Sequence, residues 1–142
     1  MGGNAVPAAT NYPYTAVKSI CKSTAKIPMN IFATVQNYTG GNEIIMKQIV
    51  ANVGPIATAM SATSYFQLYK SGIFFDTSCD SNCRSYNHAI IIVGYGTDPL
   101  TKLDYWIIKN SWGKSWGQDG YAFMARNKGN NCNIACYAVY AL

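Results

Sequence analysis

The sequence predicts an α+β fold, mainly an antiparallel, barrel-like set of strands with short helices. Three observations carry this expectation. Strand-like runs follow one another through the second half of the chain with no helix between them, which favours an antiparallel sheet over a parallel α/β sheet. Only two segments have helical spacing. Ala89–Val93 is five apolar residues in a row, which reads as a strand buried on both faces. The 142 residues suffice for one domain that buries roughly 70% of its unfolded surface.

The elements follow in order. Residues 1–15 are rich in Gly, Ala, Asn and Pro and read as an irregular lead-in ending in Asn11-Tyr12-Pro13-Tyr14. Ile31–Tyr38, with β-branched and aromatic residues in partial alternation, predicts a strand. Gly40-Gly41-Asn42 breaks it, and Asn42 is placed to cap a helix whose first turn holds Glu43 at the positive end of the dipole. Met46, Ile49, Val50 and Val53 repeat at helical spacing until Gly54-Pro55, predicting an amphipathic helix from 43 to 53. Ile56–Ala62 reads as a strand, and Ser64–Tyr69 as a short helix stopped near Gly72. Ala89–Gly94, Tyr105–Lys109, Gly120–Arg126 and Ile134–Tyr140 are four further predicted strands.

Composition excludes several classes. With 49% hydrophobic and 12% charged residues the chain is globular rather than disordered. No apolar run approaches the roughly 18 residues of a membrane span, and the first residues lack the charged and apolar regions of a signal peptide. The net charge of +5 is spread over scattered lysines, with no basic run, so no nucleic-acid partner is expected.

Five cysteines occur, four of them as Cys79-x-x-x-Cys83 and Cys132-x-x-x-Cys136. That spacing permits zinc, but the pairs lack the Gly and basic residues of a zinc knuckle, and the single histidine, His88, has another apparent use. Disulfides are the better reading; no metal and no cofactor are expected, and an oxidising compartment is implied. Asn37-Tyr38-Thr39 is a glycosylation sequon, which agrees with passage through a secretory pathway. Cys21 is left over.

His88 opens the run Asn87-His88-Ala89-Ile90-Ile91-Ile92-Val93-Gly94-Tyr95-Gly96, and Lys109-Asn110-Ser111-Trp112-Gly113 follows. Alone, His88 is an ordinary hydrogen-bonded histidine and Asn110 a strand-end residue. Together, each at the end of a predicted strand, they match two members of a Cys-His-Asn constellation. An amide oxygen accepts the imidazole N–H and orients the ring without adding charge, which suits an imidazolium paired with a thiolate. Trp112 is placed to shield that bond from water.

These runs, together with Tyr105-Trp106-Ile107-Ile108, Trp116-Gly117, Gly120-Tyr121, Tyr12-Pro13-Tyr14, Val53-Gly54-Pro55-Ile56, Tyr69-Lys70-Ser71-Gly72-Ile73 and Met124-Ala125-Arg126-Asn127, resemble the papain-like cysteine peptidases, in particular the cathepsin L and cathepsin K branch. The likeness extends over nearly the whole chain. It implies a two-lobed fold, of which residues 1–142 are the part bearing histidine and asparagine. It also implies cysteine endopeptidase chemistry on peptide or protein substrates, with His88 as ion-pair partner and general acid/base and Asn110 as its orienter. The family's Cys-Gly-Ser/Ala-Cys-Trp/Tyr motif does not occur here. Counting back from His88 places it roughly 40–60 residues before Met1. The chain alone is therefore expected to be inactive, with the N-terminal helical lobe as its covalent or non-covalent partner. The rival reading is a non-catalytic truncated homologue, either a binding module or a protein without function.

The resemblance further implies that Ala59, Tyr86, Asn87 and Ala89 line the substrate cleft and that Trp112 forms its primed-side wall. Tyr137 falls where the family closes the base of the main specificity pocket; the alternative is that it packs in a local rearrangement around Cys136. Cys79 and Cys132 match the bridge that closes this lobe, while Cys21 matches a cysteine bonded to the other lobe. Cys83 and Cys136 have no counterpart; a second bridge between them is the natural hypothesis, with other pairings open. A lysosomal or extracellular location is implied.

Overall fold

The computed structural model describes residues 10, 13–15, 17–20 and 34–142. Most of the expected lead-in, the first residues of the predicted strand from Ile31, and Cys21 lie outside them. The chain divides into two compact units. Gln36–Tyr140 is the larger and carries the sheet and the site. In the smaller, Thr34 and Leu142 exchange backbone hydrogen bonds of 3.4 and 2.9 Å.

Strand β1 (Val35–Thr39) half-buries Gln36 and Tyr38 and exposes the alternate residues. Asn42 then caps α1 (Glu43–Asn52), its Oδ1 accepting the backbone N–H of Ile44 at 2.9 Å and of Ile45 at 3.3 Å. Met46 and Val50 face the core. Val53, expected on the same stripe, is instead the exposed C-cap. Glu43 is buried at the helix start, and its carboxylate accepts from Trp106 Nε1 (2.9 Å) and from the backbone N–H of Asn127 (2.9 Å) and Asn130 (3.1 Å). A first-turn carboxylate thus also ties α1 to a strand and to the 127–130 loop.

The remaining elements are β2 (Ile56–Met60), α2 (Ser64–Gln67), β3 (Ile73–Phe74), β4 (His88–Thr97), β5 (Asp104–Lys109), β6 (Tyr121–Ala125) and β7 (Tyr137–Ala141). The seven strands form one sheet in the order β1-β7-β2-β4-β5-β6-β3. Antiparallel pairing prevails, as β2 with β4 and β7, and β5 with β4 and β6. The exception is β3, which pairs parallel with β6 and makes the sheet mixed. Two residues are too short a run to show a strand period, so β3 has no sequence signal. Strand β4 runs on past Gly94, through an irregularity between Ile92 and Gly94. At Gly96 a Cβ would lie 2.5 Å from the Tyr105 hydroxyl, so any larger residue would have to displace that ring.

Two expectations need correction. Ala89–Val93 is not buried on both faces: Ile90 and Ile92 are buried, whereas Ala89 is exposed and Ile91 is 40% exposed. An unbroken apolar run does not distinguish a doubly covered strand from one with an apolar outward row. The last predicted strand begins three residues late, because Ile134–Cys136 complete a buried turn after a short 3₁₀ segment (Asn131–Asn133). Asn130 Oδ1 holds the turn by accepting the Ala135 N–H at 2.8 Å.

That turn anchors the loop leading to His88. Asn133 accepts the Cys83 N–H (2.9 Å) and donates to Ser61 Oγ (2.9 Å) and Ser85 O (3.0 Å). Asn131 pairs with the backbone of Asp76 in both directions. Burial raises the Asp76 carboxyl, but hydrogen bonds from Ser78 and Thr63 outweigh it and leave it below the usual range. Two bridges join the same segments: Cys79–Cys132, with Cα atoms 4.7 Å apart, and Cys83–Cys136, at 5.4 Å.

Candidate active site

His88 is the first residue of β4, opposite Met60 on β2, and the Asn87 N–H donates to Met60 O at 3.1 Å. Asn110 follows the last residue of β5, and its own N–H is fixed to Gly120 O at 2.9 Å. Antiparallel pairing of β4 with β5, Ile91 opposite Lys109, brings the start of one strand beside the end of the other. Nε2 of His88 and Oδ1 of Asn110 are 2.9 Å apart, inside the range expected for a hydrogen bond.

The proton on this bond can be assigned. Oδ1 of Asn110 also accepts the Ser111 N–H at 2.7 Å. Turning the amide over would aim its NH₂ at a backbone donor, so the oxygen must face Ser111 and His88 alike. His88 Nε2 is therefore the donor, and in the neutral ring the lone pair sits on Nδ1. Among the described residues Nδ1 has no hydrogen-bond partner. Asn110 Nδ2 is covered and also lacks a partner among them.

Trp112 lies over the imidazole, with centroids 4.6 Å apart and planes at 30°. Its position is set from behind by Phe66 (5.8 Å) and by Trp116 (5.2 Å, edge-on). Trp116 is held in turn by donating Nε1–H to Gln67 O at 2.9 Å. Phe66 and Trp116 thus support the site; Phe66 is not singled out in the sequence, and Trp116 only as part of the family resemblance. The spacing of Trp112 and Trp116 was the available hint, but nothing local links either to Phe66.

The expected cleft residues are disposed as follows. Ala59 on β2 is opposite Ala89 on β4, and the pairing of Thr58 with Ala138 puts Tyr137 opposite Ala59 on β7. Strand alternation sets these three on one face, with Tyr137 38% exposed. His88 turns to the other side of β4, toward Trp112. Tyr86 is exposed and donates its hydroxyl to Cys83 O at 3.1 Å. Asn87 spends both ends of its amide on the Ala62 backbone, accepting N–H at 2.7 Å and donating to C=O at 2.9 Å. These two bonds position the loop before His88. Cys79, Cys83, Cys132 and Cys136 are all bridged, so no thiol is free among the described cysteines. No group of three or more potential metal ligands occurs among the described residues.

A family model described as papain family cysteine protease matches residues 2–142. The chain belongs to this family. It is 42% identical over 141 residues to cathepsin S of Bos taurus, covering 96% of this chain and 40% of that protein. It is 43% identical over 136 residues to cathepsin L2 of Homo sapiens, covering 92% and 39%. Among solved structures, a digestive procathepsin L 3 of the Tenebrio molitor larval midgut superposes with a TM-score of 0.85 at 37% identity, covering 95% of this chain and 43% of that one. Bromelain from Ananas comosus, in complex with the E64 inhibitor, gives 0.84 at 37% identity, with 97% and 63% covered. The chain therefore spans about 40% of the length of the curated papain-family relatives it matches.

Proposed function

We propose that residues 1–142 are the histidine- and asparagine-bearing part of a papain-type cysteine endopeptidase. The observation that carries this reading is the His88–Asn110 bond under Trp112, which places the proton on Nε2 and leaves Nδ1 for a thiol. His88 takes the thiol proton on Nδ1, giving an imidazolium–thiolate pair. The thiolate adds to a peptide carbonyl carbon, forming a C–S bond. Collapse of the tetrahedral adduct breaks the C–N bond while Nδ1–H protonates the departing amine. Water, deprotonated by His88, then hydrolyses the thioester and regenerates the thiol. Asn110 holds the ring in one plane and tautomer through both half-reactions.

In this reading the nucleophile comes from a second, helical lobe: every described cysteine is bridged, and Cys21 does not stand in the family's Cys-Gly-Ser/Ala-Cys-Trp/Tyr motif. The outward apolar row through Ala89 and Ile91 supports a lobe packing against this unit. The two disulfides support an oxidising compartment, lysosomal or extracellular. The experiment for the activity uses a two-lobed protein carrying this segment. It should cleave a fluorogenic dipeptide amide under reducing conditions and lose that activity on thiol alkylation; alkylation-resistant cleavage would overturn the reading.

Tyr137, Ala59 and Ala89 then form the floor of the pocket for the residue two positions before the scissile bond. A tyrosine over two alanines leaves little depth, so bulky side chains are disfavoured there. Tyr137→Ala should shift acceptance toward leucine and phenylalanine by about 1–3 kcal/mol, roughly 10- to 200-fold in relative kcat/KM. A peptide-library profile checks this, and an unchanged profile would mean that Tyr137 serves only to pack beside Cys136.

A further inference from the structure

We propose that Cys83–Cys136 is a thiol–disulfide exchange site, opened by a dithiol in preference to Cys79–Cys132. Loop length does not separate the two bridges, because each closes a 53-residue separation between the same segments. Access does not separate them either: Cys83 and Cys79 are half-buried, and their partners Cys136 and Cys132 are buried. In both, a reductant meets the half-buried sulfur and expels the buried one. What differs is the surroundings of the sulfur that leaves.

Cys136 Sγ lies 2.8 Å from Asn130 Nδ2. The Asn130 amide cannot be turned over, because its Oδ1 accepts the Ala135 N–H at 2.8 Å. An N–H thus points at the sulfur on which negative charge develops. Asn133 Oδ1 stands farther from that sulfur, at 3.6 Å. Cys132 Sγ instead faces an oxygen, Asn131 Oδ1 at 3.5 Å, held in that sense by the Asp76 N–H that it accepts. Cys79 Sγ likewise faces Ser61 O at 3.5 Å. A donor stabilises a thiolate and oxygen lone pairs oppose it, and the more stable thiolate leaves faster.

One thiolate of the dithiol attacks Cys83 Sγ, forming a mixed disulfide, while the Cys83–Cys136 bond breaks and Cys136 departs as a thiolate. The second thiol of the dithiol loses its proton and displaces Cys83. The protein pair gains two electrons and two protons, and the dithiol becomes a cyclic disulfide. Opening acts on the loop before His88. Tyr86 donates its hydroxyl to Cys83 O at 3.1 Å, and Tyr137 directly follows Cys136. Both tyrosines belong to the substrate cleft on the cysteine-peptidase reading. A link between thiol reductants and the shape of the cleft rests on that reading.

The test treats the 142-residue chain with dithiothreitol at neutral pH, quenches it at intervals by alkylation, and identifies each cysteine-bearing peptide by mass. Cys83 and Cys136 should become alkylated together, about tenfold faster than Cys79 and Cys132. Asn130→Asp keeps the acceptor for Ala135 and removes the donor to sulfur, so it should slow this opening until the lead is lost. Mere loosening of the turn would speed opening, so the sign of the change separates the two roles. Equal rates for the two bridges, earlier opening of Cys79–Cys132, or unslowed opening in Asn130→Asp would each overturn the proposal. In a two-lobed protein, Cys83→Ser with Cys136→Ser should change the peptide-library profile two positions before the scissile bond. An unchanged profile there, beside a changed one for Tyr137→Ala, would overturn the link to the cleft. No change in either variant would instead overturn the pocket reading on which that link rests.

Discussion

In a two-lobed enzyme carrying this segment, His88→Ala is expected to lower kcat/KM by about 10⁴-fold, the upper end for loss of a positioned general acid/base. The variant loses the proton acceptor for the thiol and the donor for the leaving amine at once. Asn110→Ala should cost less, about 10²-fold, because the imidazole remains and only its orientation and tautomer are released. The order is the informative part. Trp112 would still cover the ring in the Asn110 variant, so partial activity should survive with a normal burst of acyl-enzyme. Steady-state kinetics on one dipeptide substrate measures both. Equal losses in the two variants would mean that Asn110 does more than orient the ring.

The second large effect is on stability. Cys79–Cys132 and Cys83–Cys136 each close a 53-residue separation, yet they join the same two segments. Once either has formed, the other closes only a small ring through residues 79–83 and 132–136. In the chain-entropy picture the first closure stabilises by about 4 kcal/mol and the second, over about ten residues, by about 3. Replacing one pair by alanine should therefore cost about 3 kcal/mol, whichever pair is chosen, and replacing both about 7. The double loss approaches the roughly 5–15 kcal/mol that holds an ordinary domain together. Urea denaturation of the two single-bridge proteins and the bridge-free protein tests this. Costs that simply double from single to double removal would show that the bridges act independently.

The site was legible because its two central residues flank strands with strong local patterns. A histidine before an apolar run and an asparagine after Tyr105–Lys109 become neighbours as soon as those strands pair antiparallel. The α1 cap was legible for a similar reason, since Asn42 and Glu43 act within their own turn. What escaped was decided at long range. The aromatic support of Trp112 comes from Phe66, and the loop before His88 is held by Asn131 and Asn133, about 50 residues away. The bond pair between the Asn87 amide and the Ala62 backbone is likewise visible only when β2 lies beside β4. Composition alone puts Ile134 and Cys136 in a strand; an asparagine-held turn removes them from it.

The central claim is that this segment supplies the histidine half of a thiol peptidase and needs a second lobe for the nucleophile. Its most direct test is the rate of fluorogenic dipeptide hydrolysis under reducing conditions, measured for the 142-residue chain alone and after refolding with a papain-family N-terminal lobe. The account predicts no turnover from either piece separately, turnover from the pair, and loss of that turnover when the chain carries His88→Ala. Turnover by the single chain, abolished by His88→Ala, would contradict it.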